Sequence, residues 1–147
     1  FDFTGGGAVT FRSADSSRRF VLSVEVWTHD GRYGTSIPAL EFAGTDSPSF
    51  AAGVTVDTGT RTNVGCFNQS GATNNITATV LDASGATTLG TVHLTLAANA
   101  WTQTALTTIV SDGYIRFNPS DAAVCYAVVV DNHTNDGRSI SAAEFRP

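Results

Sequence analysis

The sequence predicts an all-β chain: an antiparallel Ig-like β-sandwich with an extra half-unit of strands at its N-terminus. Three observations carry this. Apolar and polar residues alternate at a period of two along most of the chain, Gly, Asp and Asn interrupt the alternation every eight to twelve residues or so, and no window holds an apolar stripe at the helical period. Eleven short strands are expected, at 7–13, 19–28, 36–43, 49–57, 60–68, 75–82, 88–96, 100–108, 113–118, 123–132 and 138–145.

The pattern is clearest where one face is apolar. "FVLSVEVW" sets Phe20, Leu22, Val24 and Val26 on one side, "ITATVL" sets Ile76, Ala78 and Val80, and "TVHLTL" sets Val92, Leu94 and Leu96. These read as half-buried strands. "TNVGCFN" and "AVCYAVVV" are strand-like runs that each carry one of the two cysteines, Cys66 and Cys125. A bridge between them would stabilise by about 4 kcal/mol through loop closure and would place the chain in an oxidising, extracellular compartment. The alternative is two separate buried thiols acting as small hydrophobes.

An internal repeat organises the chain. Displaced by 106 residues, 7–32 aligns with 113–138 without a gap, with seven identities in 26 positions: Gly7, Phe11, Asp15, Thr28, Asp30, Gly31 and Arg32 match Gly113, Phe117, Asp121, Thr134, Asp136, Gly137 and Arg138. A duplicated two-strand unit explains this. It also bears on "VVVDNHTNDGRSIS", where Asp131, Asn132, His133, Asn135 and Asp136 crowd together. Asp-Gly is shared by both copies while the metal-ligating residue types are not, so the stretch reads as a hairpin turn, with Gly137 supplying positive φ and Asp136 bonding its own backbone. As a calcium loop it has Asp136 where the sharp turn wants Gly, and no Glu at the twelfth position.

From Arg61 onward the order of "RTNVGCFNQSG", "ATVLDASGATTLGT", "LTLAANAWTQ", "GYIRF" and "YAVVVDNHTNDG" resembles a β-sandwich repeat module of large secreted bacterial proteins of uncharacterised function. "SVEVWTHDGRYGTSIPA" resembles the ending of such a module, so the likeness spans nearly the whole chain. It implies an extracellular sandwich and no particular activity. Both cysteines fall where such modules carry plain apolar or small residues, which makes a bridge this chain's own feature.

Residues 59–147 then supply a complete Ig-like sandwich, and 1–58 the closing strands of a preceding unit, available for strand exchange. Such a remnant has open edges that must be covered or paired. Strand addition between copies gives a head-to-tail assembly. Phe1, Phe3, Val9 and Phe11, with Gly5, Gly6 and Gly7 as a hinge, are the candidate assembly strand.

Composition narrows the chemistry. Eight Arg, no Lys, thirteen acidic residues and a net charge of -5 would repel a phosphate backbone, so nucleic acid is set aside. No apolar run reaches the roughly 18 residues of a membrane span, so no membrane insertion is expected. The start at Phe1, without Met or an apolar leader, reads as a processed or excised chain. Asn68, Asn75 and Asn132 begin glycosylation sequons. His29, His93 and His133 are scattered, and neither a Gly-x-Ser-x-Gly elbow, a His-Glu-x-x-His helix nor Cys/His metal spacing occurs, so no catalytic residue, metal or cofactor is expected. Glu25, Glu41, Asp57, Asp131 and Glu144 could pair as carboxylates only if folding brought them together.

The expected function is therefore a non-enzymatic extracellular structural subunit that self-associates by sheet-edge or N-terminal strand addition, into a homo-oligomer, filament or surface layer. The alternative is a carbohydrate-binding or adhesion module. Its glycan would stack on Trp27, flanked by His29, Arg32 and Tyr33, or on Trp101 beside Gln103.

Overall fold

A computed structural model of the chain describes residues 45–144 without a break and, before them, residues 8–11, 13–15, 17, 22–27, 31–32 and 34–38. It contains strands β1 (Ser23–Trp27), β2 (Gly34–Pro38), β3 (Ser49–Val56), β4 (Thr60–Asn68), β5 (Asn74–Leu81), β6 (Thr88–Leu96), β7 (Trp101–Ala105), β8 (Val110–Pro119), β9 (Ala123–Asp131), β10 (Gly137–Ser141) and β11 (Ala143–Glu144). There is no helix among the described residues, and hence none long and apolar enough to cross a membrane.

Two antiparallel sheets, ordered β10-β9-β4-β7 and β11-β3-β8-β5-β6, pack as a sandwich consistent with the Ig-like class. Only β5–β6 and β9–β10 are hairpins within one of these sheets; the other connections from β3 to β11 pass from one sheet to the other, as in Greek-key sandwiches. Alternation decides which side chains meet in the middle. Val64 and Cys66 from β4, Ile76, Ala78 and Val80 from β5, and Ile115 and Phe117 from β8 are each no more than 1% exposed. Burying the Val, Ile and Phe side chains among these stabilises by about 1.5–3 kcal/mol each. The core thus holds the two sheets together, and it uses the Ile76, Ala78 and Val80 set and the Leu94 and Leu96 pair that the alternation marked.

Cys66 and Cys125 form a disulfide. They are direct partners in the β4–β9 ladder, 4.1 Å apart at Cα, so the bridge joins neighbouring strands of one sheet. Both are buried at the sandwich interior.

Several elements lie elsewhere than the sequence suggests. The strand at Ser49–Val56, read as the last of the 1–58 unit, pairs with β8 and β11 inside the five-stranded sheet. The expected strand at 138–145 is two: β10 pairs with β9, the chain crosses at Ala142, and β11 pairs with β3 in the other sheet. Residues 8–11 and 13 of the expected first strand have no strand conformation. Of the remaining N-terminal strands, β1 and β2 form a separate two-stranded sheet. The hairpin rests beside β10, where Thr35 packs against Gly137 and the Gly34 amide approaches Asp136 Oδ1 at 3.4 Å.

The β5–β6 turn shows how local polar chemistry shapes this fold. Asp82 Oδ1 accepts from the Ser84 hydroxyl at 2.7 Å and from the Ala86 and Thr87 amides at 3.2 and 3.1 Å, while Gly85 takes φ 73°. The Ser84 hydroxyl, followed by the Thr87 amide, holds the Asp82 carboxyl below its ordinary 3.8, at about 2. A carboxyl depressed by folding stabilises the turn above its unfolded value, and that contribution fades as pH falls from 3.8 towards 2. Asp82→Asn should abolish the acid-dependent shift of the Ala86 and Thr87 amide resonances over this window. An unchanged profile would mean that another group reports there.

Candidate functional site

The loop between β9 and β10 is a turn, but not through Asp136-Gly137. Asp131 Oδ1 accepts from the His133 and Thr134 amides at 2.7 and 3.0 Å, the Asn135 amide donates to the Asp131 carbonyl at 2.9 Å, and Asn135 takes the positive φ, 62°. Gly137 instead begins β10. The Thr134 and His133 amides pull the exposed Asp131 carboxyl below its usual range. Arg61 clamps the loop, donating to Asn132 Oδ1 at 2.9 Å and to Asn135 Oδ1 at 3.0 Å. Most of its polar side chains are engaged in shaping the turn itself. Among the described residues no group of three or more His, Cys, Asp or Glu is placed to hold a metal.

The two tryptophans occupy different environments. Trp101 starts β7, an edge strand, and its indole N–H donates to the Tyr126 hydroxyl at 3.0 Å, which in turn donates to Gln103 Oε1 at 2.8 Å. Tyr126, Gly65 and Gln103 are aligned across β9, β4 and β7. A Cβ on Gly65 would collide with the Tyr126 ring, so the phenol lies against the bare Gly65 backbone. Burial raises the Tyr126 pKa. Trp101 and Gln103 are thus brought together as the sequence suggested. Tyr126, which the sequence reading omitted, joins them, and the glycine in the middle of "TNVGCFN" was the signal that something approaches that backbone closely.

Trp27 lies at the end of β1 and is 58% exposed. Together with Glu25, Arg32, Gly34, Thr35, Ser36, Asp136 and Gly137 it lines a groove of about 270 Å³ between the β1–β2 hairpin and the β9–β10 turn. Trp27 and Arg32 therefore share a surface, whereas Trp101 belongs to the far edge of the four-stranded sheet from β10. His29 and Tyr33, named with Trp27 from the sequence, lie outside the described residues, as does Glu41.

Of the candidate assembly strand, Phe1 and Phe3 lie outside the described residues, while Val9 and Phe11 are 63% and 43% exposed. The more extended apolar surface is β1. All five of its residues are exposed, including Val24 and Val26, which the alternation had suggested as a half-buried face. Its one strand neighbour is β2, which leaves its other edge open among the described residues.

The remaining titratable groups are dispersed. His93 is exposed on β6, 3.4 Å from the Thr77 hydroxyl. Asp57 accepts from the Gly59 amide in the β3–β4 turn, Glu25 is on β1, and Glu144 is on β11. No family model matches this chain, and neither the curated proteins nor the solved structures contain a match.

Proposed function

We propose that this chain is a non-enzymatic, extracellular structural subunit that joins other copies of itself by adding a strand at the open edge of β1. The carrying observation is β1 itself: a strand whose five residues are all exposed, bearing Val24, Val26 and Trp27, with one side paired to β2. Unprotected apolar edges are the sites at which sheets recruit further strands, because their backbone N–H and C=O groups already point outward in register. Exposed Val9 and Phe11 supply further apolar surface before β1. The disulfide favours an oxidising compartment and hence secretion. A filament or surface layer follows if the contact is head-to-tail and does not close.

Light scattering and electron microscopy of the non-reduced protein should reveal particles far above the 15.3 kDa subunit. Val24→Lys with Val26→Lys places two charges on the edge strand and should return the sample to monomer without loss of its β-sheet circular dichroism. A wild-type monomer, or assemblies indifferent to the two lysines, would overturn the proposal.

A further inference from the structure

We propose that the groove between the β1–β2 hairpin and the β9–β10 turn binds a pyranose sugar, with Trp27 as the stacking platform. The inference begins with Gly34, the cross-strand partner of Trp27. A Cβ at Gly34 would stand 2.9 Å from Trp27 Cε3 and 3.0 Å from Cδ2, so the indole lies down against the glycine backbone. One face of the ring is thereby used, and the side chain is still 58% exposed. The indole N–H donates to Glu25 Oε2 at 3.2 Å, two residues back on the same face of the strand, which limits rotation of the ring. An aromatic ring fixed flat on a strand with an outward face is what the apolar C–H face of a pyranose stacks on.

The rim fits the rest of a sugar. Glu25 and Asp136 supply carboxylate acceptors, Arg32 a guanidinium and Ser36 a hydroxyl, all lining the same groove. Vicinal ring hydroxyls both donate and accept, so they can satisfy such a mixed set. A purely apolar ligand would strip water from these groups and offer no hydrogen bond in return. A phosphate would meet two carboxylates on a chain of net charge -5. At about 270 Å³ the groove is smaller than the usual ligand site, which limits it to one sugar unit or a chain end. The outer backbone edge of β1 points away from β2, so occupation of the groove and strand addition do not compete for the same backbone groups.

Trp101 provides the internal control, since its N–H is committed to Tyr126 at the other edge of the sheet. In a Trp101→Phe variant, Trp27 is the remaining tryptophan, and excitation at the red edge of the indole band reads it apart from the three tyrosines. Titrating that protein with glucose, galactose, mannose and N-acetylglucosamine to about 50 mM should give a saturable change in emission for at least one of them, with millimolar Kd. In the otherwise wild-type chain, calorimetry with that sugar should show about tenfold weaker binding for Trp27→Ala and a clear loss for Glu25→Gln, with circular dichroism unchanged. Absence of a saturable response to all four sugars would overturn the proposal. So would wild-type affinity in Trp27→Ala, or a loss on Trp101→Phe as large as that on Trp27→Ala.

Discussion

Reducing the Cys66–Cys125 bridge, or replacing it with Cys66→Ala/Cys125→Ala, should lower the unfolding free energy by about 4 kcal/mol, the largest stability change expected from so small a chemical edit. The two cysteines already face each other across β4 and β9, so the folded ladder gains little order from the bond. The unfolded chain loses much more freedom, because residues separated by 59 positions are tied together. With a urea slope of about 1–3 kcal/mol/M, the midpoint should fall by more than about 1 M on reduction. Comparing the reduced wild type with the double alanine variant separates cross-linking from packing, since both lack the bond and only the variant lacks the buried sulfurs. If oxidised and reduced wild type unfold within about 1 kcal/mol of each other, the chain-entropy account of this bridge fails.

The parts of the fold legible from sequence are those where burial on one face imposes a period of two. β5 and β6 were readable because Ile76, Ala78, Val80, Leu94 and Leu96 must meet a second sheet. β1 carries the same alternation in Val24 and Val26, yet nothing in a two-residue period says whether a second layer exists, and these side chains are exposed. The switch from β10 to β11 at Ala142 was equally silent, since a strand that changes sheets keeps its extended backbone and its alternation. In the β9–β10 loop the sequence pointed to Asp136-Gly137 as the turn, whereas Asp131 and Asn135 form it. Asp131 won over Asp136 because the ladder with β4 runs to Thr60↔Asp131 and sets where β9 must stop. Of the binding candidates, the pairing of Trp27 with Arg32 was legible as neighbours at one turn. The contribution of Asp136, 104 positions beyond Arg32, exists only once the hairpin rests beside β10.

Asn68→Ala should cost about 1–3 kcal/mol, a large effect for a polar residue, because a buried amide left unpaired carries a penalty of that size. Its side chain is 0% exposed. Its Nδ2 donates to the carbonyls of Ala72 and Ala97 at 2.7 and 2.8 Å, and its Oδ1 accepts from the Ser70 amide at 2.9 Å. Those partners belong to the β4–β5 connection and to the end of β6, so one amide ties together segments leading to both sheets. Asn74, equally buried, extends the network to the Asp121 carbonyl at 2.7 Å and accepts from the Ser120 amide at 3.1 Å, which adds the β8–β9 connection. Alanine at position 68 removes the hub and leaves the buried Ser70 amide without its acceptor, while the Ala72 and Ala97 carbonyls keep the Ser70 hydroxyl and the Ala100 amide as donors. Asparagine therefore serves here as structure, and the Asn68-Gln69-Ser70 sequon is closed to modification in the folded state, unlike the exposed Asn75 and Asn132. Asn75→Ala is the matched control, expected to cost less than about 1 kcal/mol because water can replace the partner it loses. Equal losses in urea unfolding for Asn68→Ala and Asn75→Ala would show that the sandwich end is held by the apolar core alone.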